Sequence, residues 1–568
     1  MDTSGIDRAL EELDAAKHRW ATLPLPTKVY LLDEIRSRVG DVAEPWVRAA
    51  VAAKRIQPGS HLEGEEWTSG PFALATGAAA FAETLRRIER GTPVLAGYPV
   101  RTLPNGRAAV RVWPAKLEDR FFLSGHTAEV WMQPGVDADE IEAHAAALYR
   151  SADRHAAVSL VLGAGNIASI APLDVLTELY LYGAVVAVKL NPVNDYLAPY
   201  LERVLAPLIE AGFVRFIAGG ADEGAYLSRH PLVERIHLTG SAATHDAVVF
   251  GTGADATRRK RDDDPVVQVP VTAELGGVGP TIVVGGAWSA ADLRYQAEHI
   301  ISQKLHNHGF NCIACQVLVL PAAWEQGDAL LDAMRDVVRE LHERDAYYPG
   351  AVDRHQLAVS AHPNAEILTS GKAPVTFITD LDPKAASDVC FTTEFFGAVL
   401  AVTKLPGDAV PDYLEGAARF ANETLHGNLG ANLIVDPATA RANADALEET
   451  IEALRFGTVA VNSWVGVAFA MSRATWGAFP GNTRNDIQSG TGVRHNALML
   501  ENTERTVVRG PFAPFPRTLR HREFHTEPIP PFYVTNTQAA TLGALLTERA
   551  VTGSAAVLPR IAAAAFRG

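Results

Sequence analysis

Cys312 stands in Asn307-His-Gly309-Phe310-Asn311-Cys312-Ile-Ala314, just ahead of the strand-like Gln316-Val-Leu-Val-Leu-Pro321 and 38 residues after Glu274 of Glu274-Leu-Gly-Gly277. A thiol and a carboxylate in one site supply a nucleophile and a general base. Taken alone, Cys312 is equally at home as a small buried hydrophobe, and Cys312-x-x-Cys315 as a redox pair or half of a metal site. A zinc site would need more ligands, and with Cys390 the only other cysteine it would have to recruit histidines such as His306 or His308. No metal is expected.

The chain has 568 residues, 48% of them hydrophobic, which is too long for one core and calls for two large domains with appendages. A net charge of −15 with 21% charged residues is ordinary for an enzyme and argues against a nucleic-acid-binding surface. The start, Met1-Asp-Thr-Ser-Gly-Ile-Asp7, has no apolar core of a signal peptide, and apolar runs such as Gly183-Ala-Val-Val-Ala-Val188 stop at charges, so no membrane insertion is expected. Three cysteines without a secreted-scaffold spacing point to a reducing compartment, and the cytoplasm is the expected location.

These residues must be held by a larger frame. Residues 1–97 read as helices, with apolar positions at helical spacing in Val29-Tyr-Leu-Leu-Asp-Glu-Ile35 and Ala78-Ala-Ala-Phe-Ala-Glu-Thr-Leu85. Residues 98–155 hold alternating runs, Ala108-Ala-Val-Arg-Val-Trp113 and Ala128-Glu-Val-Trp-Met132, around a turn signal at Pro104-Asn-Gly106, and predict a protruding β-ribbon. From 156 to 272 strand-like and helical runs alternate, which predicts a Rossmann-like α/β domain with its ligand at the strand carboxyl ends. No convincing Gly-x-Gly-x-x-Gly follows a strand; Gly163-Ala-Gly165 is a fragment. Arg258-Arg-Lys-Arg261 before Asp262-Asp-Asp264 reads as a solvated loop. Residues 273–462 predict a second, catalytic α/β domain, and 463–568 a return segment with a Pro-, Gly- and aromatic-rich extension to which no role is assigned.

Five short segments occur in one order, and together they resemble the aldehyde dehydrogenase superfamily over about 155–480. The cysteine loop and Glu274-Leu-Gly-Gly277 are similar to the family's nucleophile and water-activating base, so the resemblance implies Cys312 and Glu274 in those roles. Gly165-Asn166-Ile-Ala resembles the segment whose asparagine donates to the substrate oxygen. Val186-Ala-Val-Lys189 is similar to the strand whose lysine holds the adenosine ribose. Leu238-Thr-Gly240-Ser241 resembles the Phe-Thr-Gly-Ser turn that receives the pyrophosphate at a helix N-terminus. Glu394-Phe-Phe396-Gly397 resembles Glu-Ile-Phe-Gly, whose glutamate fixes the nicotinamide ribose and whose phenylalanine packs by the ring.

The resemblance implies NAD(P)-dependent oxidation of an aldehyde to a carboxylic acid through a cysteine thioester, in a homodimer or homotetramer paired through the ribbon. Departures mark a divergent member. Phe310 replaces a glutamine, Gly165 a tryptophan, Ala168 a proline, Val317 an arginine, and His245 a glycine of the pyrophosphate turn, where it could add an imidazole donor. Pro192 stands where NAD-preferring members carry a glutamate, so the cofactor is NAD or NADP, with NAD favoured because no basic residue replaces that carboxylate. Two alternatives remain open at this point: an acylating reductase that turns acyl-CoA into aldehyde, and a non-catalytic nucleotide-binding relative. Trp464, Phe469, Trp476 and Phe479 could line an apolar entrance.

Overall fold

The computed structural model describes residues 3–116, 118–120, 123–151 and 156–568. Met1, Asp2 and the expected boundary at 155 lie outside the described residues.

Helices Ser4–Thr22 and Leu25–Ala53 bury one stripe each, with Ile6, Leu10, Leu13 and Trp20 at helical spacing in the first. Trp20 fixes that helix to the next layer: its indole Nε1 donates to the Leu179 carbonyl (3.1 Å) and its ring meets Tyr180 and Phe213. Beneath lies a six-stranded sheet whose strands Val271–Leu275, Arg235–Gly240, Ala157–Leu162, Ala184–Lys189 and Val214–Phe216 run parallel in that spatial order. Ala157–Leu162 and Ala184–Lys189 are buried along their whole length, as strands covered on both faces must be. The strand order reverses between Ala157–Leu162 and Arg235–Gly240, the place where open α/β sheets leave a ligand crevice at their carboxyl ends.

The second sheet has eleven strands. Its centre is parallel: Thr503–Arg509, Thr458–Val461, Gly430–Val435, Gly279–Val284, Cys315–Pro321 and Val399–Leu405 follow one another. The ribbon strands Val100–Thr102, Ala108–Trp113 and Thr127–Met132 form, but they do not protrude freely. Thr127–Met132 pairs antiparallel with Thr503–Arg509, which pairs with Thr458–Val461 of the same chain, so the inner edge of the ribbon is already filled.

Three more readings are corrected. The division placed at 272/273 cuts the strand Val271–Leu275, which belongs to the six-stranded sheet. The charged run at 258–264 is largely the exposed helix Ala254–Asp262, where Arg258 pairs with Asp255 and Asp262 at helical spacing. The segment after 463, read as a Pro-, Gly- and aromatic-rich extension, is regular over much of its length: it contributes the strand Thr503–Arg509 and the helices Ala539–Thr552 and Leu558–Ala565.

Candidate active site

The helix Ala290–Leu305 delivers the chain to the cysteine loop. Ser289 and Asp292 form its capping box, and after Leu305 the backbone reverses through three successive left-handed residues, Asn307 (φ 53°), His308 (φ 53°) and Gly309 (φ 79°). Such a run is strained for a histidine and needs outside support. Asn307 supplies it: its Nδ2 donates to the carbonyls of Phe310 (3.0 Å) and Asn166 (3.1 Å), and its Oδ1 accepts from the Tyr347 hydroxyl (3.1 Å). Gly309 is required for space as well, because a Cβ there would overlap the carbonyl of Gly397.

Cys312 emerges half-buried from this loop, and its thiol donates to Glu274 Oε1 at 3.7 Å. Glu274 lies near the carboxyl end of Val271–Leu275, 3% exposed. Burial, reinforced by the charge of Asp174, pushes its carboxyl up to about 7. The Cys312 thiol is held well above its ordinary range, first by burial and then by the negative charges of Glu274 and Glu394. Asn166, 5% exposed, donates from Nδ2 to the Phe310 carbonyl (3.0 Å), two residues before the thiol. Its amide carries a second N–H.

The cofactor candidates sit along the carboxyl ends of the six-stranded sheet. Lys189 ends Ala184–Lys189, buried, with no hydrogen-bond or ion-pair partner among the described residues; its methylenes pack by Gly224, and burial depresses its ammonium while Glu223 partly restores it. Gly240 ends Arg235–Gly240, and Ser241 caps the helix Ala242–Phe250, its Oγ accepting from Thr244 N (3.2 Å). The free N–H groups of that helix start suit an anion. Glu394 is half-buried against the Glu274-Leu-Gly-Gly277 turn, where a Cβ on Gly276 would overlap its Oε1. That Oε1 is shut from solvent and accepts no hydrogen bond among the described residues, and burial pushes the carboxyl up to about 8. Phe396 (φ 42°) packs edge-on to Tyr348, with ring centroids 4.9 Å apart. The His245 ring, on the helix that follows this turn, is buried, and its Nδ1 faces Asp246 (3.2 Å).

Tyr347, Tyr348, Arg494 and Glu223 were not singled out from the sequence. Phe310, fully buried, stacks on Tyr348 and meets Tyr347 edge-on, and Tyr348 with Asn191 occupies the space that a side chain at Gly165 would take. Behind Glu274, Arg494 donates to Glu178 Oε1 (2.6 Å) and to Thr272 Oγ1 (2.7 Å), tying the strand of the base to the helix Ile170–Tyr180. Glu223 is held by the Gly220 N–H (2.6 Å), and its only signal was the Gly-x-x-Glu pattern of a helix start. His306, considered as a zinc ligand, pairs its ring with Trp464 instead.

The sequence model of the aldehyde dehydrogenase family matches residues 176–353. An aminoacetaldehyde dehydrogenase of Pseudomonas aeruginosa is 28% identical over 39% of this chain and 43% of its own. A peroxisomal aminoaldehyde dehydrogenase of Pisum sativum is 27% identical over 47% and 50%. The chain thus spans about half the length, or less, of the curated relatives it matches. The likeness in fold extends much further: an NADP-dependent glyceraldehyde-3-phosphate dehydrogenase from Bacillus halodurans, solved with NADP, superposes at a TM-score of 0.58 over 89% of this chain and 91% of its own, at 17% identity. An NAD-dependent aldehyde dehydrogenase from Sinorhizobium meliloti does so at 0.55 over 90% and 88%, again at 17%. The matched stretch contains Lys189, Ser241, Glu274 and Cys312 and stops short of Asn166 and Glu394 on either side. Residues 176–353 thus carry a match to the aldehyde dehydrogenase family, set in a fold that the chain shares with these solved structures over about nine-tenths of its length.

Proposed function

We propose that the protein oxidises an aldehyde to the free carboxylic acid, with NAD or NADP, through a thioester on Cys312. The observation that carries this reading is the 3.7 Å contact between the Cys312 thiol and the Glu274 carboxylate. A thiol raised this far rests protonated, so it needs a base within reach, and a carboxyl near 7 is matched to that task at neutral pH. Glu274 takes the thiol proton as sulfur bonds to the carbonyl carbon. The second amide N–H of Asn166 and the Cys312 backbone N–H meet the developing oxyanion, each such donor being worth about 3–4 kcal/mol. A bound nicotinamide dinucleotide supplies the acceptor for the hydride that leaves the carbon. The acyl group then remains on sulfur. Glu274, having released its proton to solvent, draws one from a water that attacks the thioester, and the acid departs with the thiol restored.

The residues fit a dinucleotide. The unpartnered Lys189 ammonium and Glu394 Oε1 suit two ribose hydroxyl pairs, the Gly240-Ser241 helix start suits the pyrophosphate, and Phe396 suits a flat ring. Glu223 favours NAD, since a carboxylate beside Lys189 attracts a 2′-hydroxyl and repels a 2′-phosphate. The six-stranded sheet and N-terminal helices serve as the cofactor domain and the eleven-stranded sheet as the catalytic domain. A homodimer or homotetramer would pair through the outer edge at Val100–Thr102, the inner one being filled. Among the described residues no helix is long and apolar enough to cross a membrane. Three free thiols accord with a cytoplasmic location.

The test is incubation with aldehyde and NAD, with and without coenzyme A, followed by product analysis. Free acid in both is expected, and Cys312→Ala should abolish it. Acyl-CoA as the exclusive product would overturn the hydrolytic reading, and undiminished turnover by Cys312→Ala would remove the nucleophile.

A further inference from the structure

A cavity of about 1240 Å³ opens on Cys312, Asn311 and Ile313. That exceeds the roughly 300–1,000 Å³ of ordinary small-ligand sites. One wall is the C-terminal segment 511–568, which the proposed chemistry leaves without a role. Phe532 of that segment packs on Trp464 (5.3 Å between centroids), Trp464 packs on His306 (5.0 Å), and the His306 carbonyl accepts from Asn311 Nδ2 (2.8 Å), so the wall is continuous from the tail to the residue beside the nucleophile. Farther along, Leu542 and Leu546 of Ala539–Thr552 and Ile561 of Leu558–Ala565 line the same space. These helices are firmly seated, since Gly64 and Gly543 bring Glu63–Trp67 and Ala539–Thr552 into contact that a Cβ at either glycine would block.

The opposite wall is the helix Ala73–Glu89, which presents Thr76, Ala80, Glu83, Arg87 and finally Arg90 along one stripe. Its near end adjoins the Asn166 segment, where Ser169 N donates to the Ser69 carbonyl (3.1 Å). From Phe72 to Arg90 the helix spans about 27 Å. The lining holds seven Lys or Arg side chains against three Asp or Glu, in a chain whose net charge is −15. Most of these cations are engaged: Arg473, Lys116 and Arg87 surround Glu83, and Arg86 pairs with Asp33. Arg36 and Arg90 have no acidic or hydrogen-bonding partner among the described residues.

We infer that this cavity is a substrate channel for long aliphatic aldehydes whose far end carries an anionic group, with the 511–568 segment as its apolar wall and Arg36 and Arg90 as the anion-reading end. The inference rests on the aldehyde-oxidising reading of Cys312 and adds the substrate class to it. A cavity this large and mostly apolar gives a short aldehyde nothing to fill it, whereas each buried methylene of a long one contributes about 0.8 kcal/mol. The two arginines then distinguish an ω-carboxylate from a methyl end, by a charge-assisted hydrogen bond.

The experiment compares butanal, dodecanal and the ω-carboxy aldehyde of the same chain length, with binding of dodecanedioate followed in parallel by quenching of the Trp464 and Trp476 fluorescence. The expected order of kcat/KM is ω-carboxy aldehyde, then dodecanal, then butanal. In Arg36→Gln/Arg90→Gln the ω-carboxy advantage over dodecanal should shrink by roughly tenfold or more, and Leu546→Trp should lower the ratio of dodecanal to butanal. Dodecanedioate binding that is weakened by the double arginine substitution supports the channel even if no aldehyde is turned over, a result that would overturn the catalytic reading alone. Equal kcat/KM for butanal and dodecanal, or equal losses for all three aldehydes in the arginine variant, would overturn the channel while leaving the catalytic reading intact.

Discussion

At the scale of single residues, the centre is a thiol that resists ionisation beside a carboxyl poised near neutrality. Glu274 helps to raise the thiol 3.7 Å away, whereas the rise of Glu274 itself comes from burial and the charge of Asp174, against which the hydrogen bond from Cys312 works. Activity should follow the ionised form of Glu274, so kcat/KM should rise with pH through about 7 and level off above it. Glu274→Gln should lose that inflection and reduce steady turnover by about 10²- to 10⁴-fold; stopped-flow absorbance of the reduced cofactor against pH measures both, and an unchanged rate in the variant would take Glu274 out of the mechanism. Glu223 supports a second test. Its carboxylate is held by Gly220 N, within electrostatic reach of Lys189, so Glu223→Gln should shift the ratio of kcat/KM for NAD over NADP toward NADP. A ratio that does not move would assign cofactor choice elsewhere.

At the scale of elements, the site is a meeting of glycine turns from different strands. Gly276 lies against the Glu394 carboxyl, and Gly309 against the Gly397 backbone, so Glu274, Cys312 and Glu394 are interlocked through contacts at glycines that admit no Cβ. Gly276→Ala should therefore displace the Glu394 carboxyl and weaken NAD binding by roughly tenfold, about the value of one hydrogen bond, with thermal melting showing that the fold persists. Unaltered NAD affinity by fluorescence titration would mean that Glu394 does not hold the ribose. The same interlocking explains what was legible beforehand. Cys312, Glu274, Ser241 and Glu394 sit in runs of a few contiguous residues, because a turn that must pass close to a ligand restricts its own neighbours. The α/β alternation was legible for a similar reason, since strands buried on both faces read as apolar runs. Phe310 gave no hint of Tyr348, nor Arg494 of Glu178, because those pairs are made by packing between segments far apart in the chain. The 511–568 segment was illegible in the same way: Phe532 and Leu546 are ordinary apolar residues until the helix Ala73–Glu89 stands opposite them. The ribbon was read from its alternation, which fixes that strands form and says nothing of which edge they join.

At the scale of the whole molecule, stability and activity should move in opposite directions as pH climbs above about 6.5. Burial raises five carboxyls: Asp174 and Glu274 to about 7, Glu394 and Glu527 to about 8, and Glu523 by a smaller shift. A group whose folded pKa is raised stabilises fully below its unfolded value and loses that contribution as pH climbs through the folded one. Burial also depresses ten histidines, among them His126 to about 4 and His299, His308 and His495 to about 3. Those remain neutral inside, so they cost stability as pH falls below about 6.5, where the unfolded chain takes up protons that the folded one refuses. Between about 4.5 and 6.5 the two sets oppose each other, and above 6.5 the carboxyls act alone until about 8. Because the depressed histidines outnumber the raised carboxyls, the unfolding free energy should rise with pH across the first window and fall by a few kcal/mol across the second, each unmatched proton being worth about 1.4 kcal/mol per pH unit. Denaturant melts at closely spaced pH values measure this. Glu527→Gln, a change in the C-terminal segment, should flatten the fall between 6.5 and 8, and a wild-type curve that rises over that window would refute the account. The window of falling stability is the one in which Glu274, the proposed base, ionises, because the burial that raises its carboxyl is what makes its ionisation expensive to the fold.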